Sequence, residues 1–171
     1  MPQDNGAEPK SRWDILTKTG AGTPMGGLLR RYWWPIAGAS ELDRPGTKPV
    51  RLLGEDLVLY KDLGGRFGLI DRHCRHRRAD LSYGYVEARG LRCNYHGWLY
   101  DEAGHCLAQP YEDVAHPDAL LRNAIRIKAY PVAEAFSRAG VLGMTRMILV
   151  LSPRPASNFA MGTPAAIEIT K

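Results

Sequence analysis

Two short boxes, Cys74-Arg75-His76 and Cys93-Asn94-Tyr95-His96, lie 16 residues apart and bring two thiols and two imidazoles into one stretch of chain. Four such donors can close on one zinc ion, but in zinc sites the members of a local pair usually have at least two residues between them. Cys74 and His76 have one. In an extended segment, positions two apart point to the same side about 6 to 7 Å from each other, a separation that suits two neighbouring irons bridged by sulfide. The spacing therefore favours a binuclear iron-sulfur centre, with a zinc-stabilised interaction module as an alternative.

One Cys and one His per box matches a Rieske 2Fe-2S centre, in which two Cys hold one iron and two His hold the other. Cys74 and Cys93 are then the candidate ligands of the inner iron, and His76 and His96 those of the outer. Replacing two thiolates by neutral imidazoles makes the cluster less negative. It places the potential at about −150 to +300 mV, against roughly −400 mV for an all-Cys plant-type cluster. This is chemistry for passing single electrons. The free nitrogen of each imidazole can carry a proton or a hydrogen bond to an acceptor.

Short apolar segments separated by turn residues surround the boxes: 50–53, 57–61, 67–71, 91–94, 98–101 and 105–108. They predict a mainly β, antiparallel domain from about Trp33 to Val132, with hairpin turns at Gly64-Gly65 and Asp101 to Gly104. The boxes should form two hairpin loops folded toward each other, Gly97 permitting the tight turn after the second. Trp98 is expected either in the core or as a cover against water, and Tyr83, Tyr85, Tyr95 or Tyr100 could supply a hydroxyl to cluster sulfur. A short helical turn is expected over Leu28 to Trp33, between Pro24 and Pro35. His73, His105 and His116 are expected in surface or strand positions without a role.

The flanks of the boxes resemble those of the Rieske non-haem iron ring-hydroxylating oxygenases, specifically the N-terminal domain of the phthalate dioxygenase-like oxygenase subunit. The resemblance rests on Cys74-Arg-His76-Arg77, on Ala79-Asp80-Leu81-Ser82-Tyr83-Gly84, and on Leu91-Arg92-Cys93 through Gly97-Trp98. A lead-in from Gly22 to Gly26 and from Arg30 to Pro35 belongs to it as well. It implies an antiparallel Rieske domain, a 2Fe-2S cluster, and electrons arriving from a reductase or ferredoxin for a mononuclear iron in a catalytic oxygenase domain or subunit. The substrate would be an aromatic acid or a similar ring compound. The family commonly has Pro and Gly where this chain has Arg75 and Arg78. The Rieske protein of respiratory complexes carries an extra Cys in each box, where this chain has Ala79 and Tyr95. A free-standing Rieske ferredoxin is the remaining alternative, against which the lead-in speaks.

The mononuclear iron of such oxygenases needs two His and a carboxylate, and no His follows His116. The chain is therefore expected to carry electrons without completing an oxygenation by itself. Three regions are expected: a tail and lead-in over 1–32, the cluster domain over 33–134, and an atypical tail over 135–171. That tail departs from the family pattern after Ala129-Tyr130-Pro131-Val132-Ala133-Glu134, as an out-of-frame or truncated reading frame would make it do; a helix over 136–150 is the alternative.

The 171 residues carry three cysteines, so Cys106 is left as an ordinary strand residue, no disulfide framework is available, and a cytoplasmic setting is expected. The polar Met1 to Lys10 segment lacks a secretory apolar run. The late apolar stretch Ala139 to Leu151, interrupted by Arg146, is shorter than the roughly 20 residues a membrane span requires. A net charge of +5 could indicate nucleic acid, but no such partner is expected, because the arginines gather beside the boxes without a nucleic-acid motif. A basic rim of that kind suits an acidic redox partner.

Overall fold

The computed structural model describes residues 11–118, 120–137 and 145–151. Two short helices, α1 (Arg12–Thr17) and α2 (Pro24–Leu29), precede the strands β1 (Trp33–Gly38), β2 (Gly46–Leu52), β3 (Glu55–Lys61) and β4 (Phe67–Asp71). Next come β5 (Tyr85–Glu87), β6 (Gly90–Arg92), β7 (Leu99–Tyr100) and β8 (Cys106–Ala108). Two short helices, α3 (Glu112–Ala115) and α4 (Leu120–Ala124), lead to β9 (Ala129–Tyr130), β10 (Val132–Ser137) and β11 (Thr145–Leu151). All strand pairs are antiparallel, as the alternating apolar segments predict.

Among the described residues three sheets result, with strand orders β1-β11-β10, β2-β3-β4-β9 and β5-β6-β7-β8. The second lies between the other two, which explains the run Leu57-Val58-Leu59-Tyr60. Alternate side chains of a strand point to opposite faces, so Val58 and Tyr60 enter one core with Cys74, Cys93 and Tyr100, while Leu57 and Leu59 enter another with Ile148 and Val150. A strand buried on both faces reads as continuous apolar residues. The predicted segment 67–71 is thus a strand with those bounds, and 57–61 is one that begins two residues earlier, at Glu55.

The expected helical turn over Leu28 to Trp33 is displaced. Pro24 takes the first helical position and Thr23 caps it, its Oγ1 accepting from the Gly26 N–H at 3.1 Å. The helix ends at Leu29, and Trp33 already pairs with Leu151 in a sheet. Pro35 sits beside a register shift in β1, an edge strand where a missing N–H is tolerated. Arg30, buried, ties this lead-in down by donating to Thr19 O, Gly26 O, Leu53 O and Glu55. Lys128 and the Tyr130 hydroxyl converge on the same Glu55 carboxylate.

A helix over 136–150 is not formed. β10 crosses residue 134 and pairs with β11, whose Ile148 and Val150 are fully buried at period two, the pattern of a strand. Most of the segment on which the out-of-frame expectation rests, 138–144 and 152–171, lies outside the described residues. Among the described residues no helix is long and apolar enough to cross a membrane.

Candidate metal centre

The two boxes adopt the same backbone plan. In the first, His73 and Asp80 form an antiparallel bridge, and the loop between them closes through Cys74 N–H to Ala79 O (2.9 Å) and Arg78 N–H to Cys74 O (3.0 Å). In the second, Arg92 pairs with Leu99, with Cys93 N–H to Trp98 O (2.8 Å) and Gly97 N–H to Cys93 O (3.1 Å). Each Cys is thus the first residue of a six-residue hairpin tip, and its His follows two or three positions later. The fifth residue has positive φ in both: Arg78 at 59° and Gly97 at 75°. The first tip is a side excursion of the long β4–β5 connection, which crosses from one sheet to another, and the second caps the β6–β7 hairpin.

Each tip is stapled from below by an arginine just before its Cys. Arg72 donates through Nε to Asp80 Oδ2 at 2.8 Å, and Asp80 in turn accepts from the Ser82 N–H and hydroxyl. Arg92 grips both oxygens of Glu87 and donates through Nη1 to Gly97 O at 2.5 Å. Such charge-assisted, partly two-pronged contacts fix geometry as well as adding energy.

Cys74 and Cys93 are buried to 1% and 2% exposure, both as free thiols. Their mutual interaction splits their acidity: it is the main cause that pushes Cys74 up and brings Cys93 down to about 6. Burial raises both, opposed by the N–H of His76 at Cys74 and those of Tyr95 and His96 at Cys93. Backbone N–H groups aimed at sulfur favour a thiolate there.

The imidazoles sit above the sulfurs at the rim. His76 and His96 have ring centroids 4.6 Å apart at 62°, and the indole of Trp98 stacks on His76 at 4.7 Å and 6°. Burial, then the neighbouring His96 and Arg77, outweigh the opposing charge of Glu112 and lower the pKa of His76, which favours the neutral imidazole that metal ligation requires. Trp98 is itself buried, so it serves the core and covers one imidazole at once.

Of the four candidate tyrosines, Tyr83, Tyr85 and Tyr95 are 71%, 65% and 61% exposed, whereas Tyr100 is fully buried. Its hydroxyl lies 3.4 Å from Cys74 Sγ and accepts from the Arg75 N–H at 3.3 Å; toward a thiolate at Cys74 the phenol is the donor. Burial and then Cys74 raise the pKa of Tyr100, so that proton stays on oxygen.

Cys106 stands on β8, its thiol directed to Ala108 O at 3.6 Å, and burial pushes it up to about 11. His73 lies in the bridge with Asp80, His105 pairs with Asp101 in the β7–β8 turn, and His116 ends α3. None of them joins the four donors. The staples Arg72–Asp80 and Arg92–Glu87 went unforeseen, although an arginine one or two residues before each Cys is visible in the chain.

The donor set fits a binuclear cluster better than a single ion. Two soft sulfurs are buried side by side and two imidazoles lie toward solvent, whereas among the described residues no three His, Cys, Asp or Glu are grouped to hold one metal ion.

The family model described as "Rieske [2Fe-2S] domain" matches residues 32–131. The 5,5'-dehydrodivanillate O-demethylase oxygenase subunit of Sphingobium sp. is 62% identical over 119 residues, which is 70% of this chain and 28% of that protein. The phthalate 4,5-dioxygenase oxygenase subunit of Pseudomonas putida is 43% identical over 103 residues, 59% of this chain and 24% of that one. Among solved structures, NdmA of Pseudomonas putida CBB5 with caffeine superposes with a TM-score of 0.58 at 31% identity, covering 73% of this chain and 34% of that chain. The chain thus spans less than a third of the length of these two curated relatives.

Proposed function

Because the chain belongs to the Rieske [2Fe-2S] domain family, we propose that it is the electron-relay domain of an aromatic-ring oxygenase, with its cluster held by Cys74, His76, Cys93 and His96. When bound, the 2Fe-2S cluster supplies a site that accepts and releases one electron at a time. The observation that carries the reading is the pair of hairpin tips of identical backbone plan. They place the two thiols together in the core and the two imidazoles together at the surface.

The chain's own residues divide the remaining work. The N–H groups of His76, Tyr95 and His96 ease loss of the thiol protons that ligation requires. Tyr100 holds its proton against Cys74 Sγ, and each arginine staple holds the shape of its own tip. Trp98 excludes water from one side of His76, while the outer edges of both imidazoles face the region a partner would occupy.

In the complete system a reductase or ferredoxin would donate the electrons, and a mononuclear iron held elsewhere by two His and a carboxylate would receive them. The phthalate named for one relative supports an aromatic acid as the eventual substrate. Metal and sulfide analysis of the purified protein tests the cluster. Two irons and two acid-labile sulfides per chain, with a Rieske-type paramagnetic resonance signal on reduction, are expected; one zinc and no sulfide would overturn the reading.

A further inference from the structure

The surface around His76 and His96 is unevenly charged. Arg75, Arg77 and Arg78 are all exposed on the first tip, and no ion pair among the described residues involves any of them. The two arginines below, Arg72 and Arg92, are by contrast neutralised by Asp80 and Glu87. The second tip presents no charge: Asn94 is followed by the exposed ring of Tyr95, tilted against His96 at 3.8 Å.

The segment after β8 borders the same surface. Pro110 lies against Gly97, close enough that an added Cβ would meet its Cγ at 3.1 Å. Exposed Tyr111 follows it, and then Glu112, whose charge reaches His76. One carboxylate against three unpaired guanidinium groups leaves the surface positive. Three neighbouring cations repel one another, and an acidic surface set opposite relieves that repulsion while steering encounter. Arginine and tyrosine are also the residues enriched where protein interfaces concentrate their energy.

Resting on the cluster assignment above, we propose that the surface formed by Arg75, Arg77, Arg78, Tyr95 and Tyr111 is the docking face for an acidic redox protein. One electron leaves that partner, which is oxidised, and enters the cluster, which is reduced; no bond forms or breaks. The basic tip sets approach and orientation, and the two tyrosines supply the contact area beside the imidazole edges.

The test uses the full cluster-loaded chain and a reduced, acidic plant-type ferredoxin as probe. Affinity is read by calorimetry with the oxidised ferredoxin, and the electron-transfer rate by stopped flow, each at about 20 mM and 300 mM salt, where charges are weakly and strongly screened. Both should fall by roughly tenfold or more across that range. The combined variant Arg75→Gln, Arg77→Gln, Arg78→Gln should lose most of the low-salt values and the salt dependence with them.

A second measurement needs no variant. Oxidation of the reduced protein by anionic hexacyanoferrate(III) should slow with added salt, and oxidation by cationic hexaammineruthenium(III) should quicken. Equal affinities and rates for both proteins, or no salt effect, with the resonance signal intact, would overturn the docking face. Loss of that signal in the unaltered chain counts against the cluster assignment instead, and the calorimetry, which needs no electron transfer, still decides the face.

Discussion

Arg78 and Gly97 occupy the same position in the two hairpin tips, each with its N–H closing onto the carbonyl of its Cys and each with φ in the left-handed region. Only the second position carries the residue that adopts this conformation without cost. A side chain there costs about 1 to 2 kcal/mol. Arg78→Gly is accordingly expected to raise stability by about 1 kcal/mol, after allowance for the greater freedom of Gly in the unfolded chain. Gly97→Ala should lower it by more, since its Cβ would also crowd Pro110. Urea unfolding of the loaded protein gives both signs; a stabilising Gly97→Ala would mean the tip relaxes out of this geometry.

Exchanging His96 for Cys adds a thiolate's negative charge to the proposed ligand set. The potential should move down, toward the roughly −400 mV of all-thiolate clusters. A redox titration followed by paramagnetic resonance measures it. An unchanged value would remove His96 from the ligands.

Tyr100 is expected to raise the potential, because its hydroxyl donates to Cys74 Sγ and so counters the charge that an added electron brings. One neutral hydrogen bond of about 1 kcal/mol corresponds to a shift of about 40 mV for a single electron. Tyr100→Phe should lower the potential by that order and leave the iron content unchanged. The same titration reads it, and an unchanged or raised potential would mean that the phenol makes no hydrogen bond to the ligating sulfur.

The staple at the first tip has a pH signature. Partial burial pushes the Asp80 carboxyl up, but the Arg72 guanidinium and Ser82 outweigh it and hold the pKa at about 2, below its ordinary 3.8. The folded state therefore gains stability from this group that is complete above pH 4 and disappears as pH falls through about 2. Discounted for partial exposure, the gain is about 1 to 2 kcal/mol. Asp80→Asn should cost that much in urea unfolding at pH 7, about half as much at pH 3, and almost nothing below pH 2. A cost independent of pH would place the effect in shape rather than charge.

The four candidate donors and the two central strands stand out in the chain for a physical reason. Metal chemistry restricts residue types and short spacings, and a strand between two cores must be apolar at every position, as Leu57 to Tyr60 are. Elements whose identity depends on distant partners were not legible. Trp33 and Trp34 follow a helical turn and become β1 by pairing with β11, more than 100 residues onward. Likewise, nothing local separates Tyr100 from Tyr83, Tyr85 or Tyr95; only the fold brings one hydroxyl to a sulfur.

β3 contributes alternate side chains to the two cores, Val58 and Tyr60 to the one that holds Cys74 and Cys93 and Leu57 and Leu59 to the other. A single inserted or deleted residue within this strand would exchange the two sets and place the Tyr60 phenol where Leu59 now packs, spoiling both interiors together. The strand acts as a gauge of fixed length. Changes in chain length among related domains are expected at turns such as Asp101 to Gly104, where an extra residue disturbs neither interior.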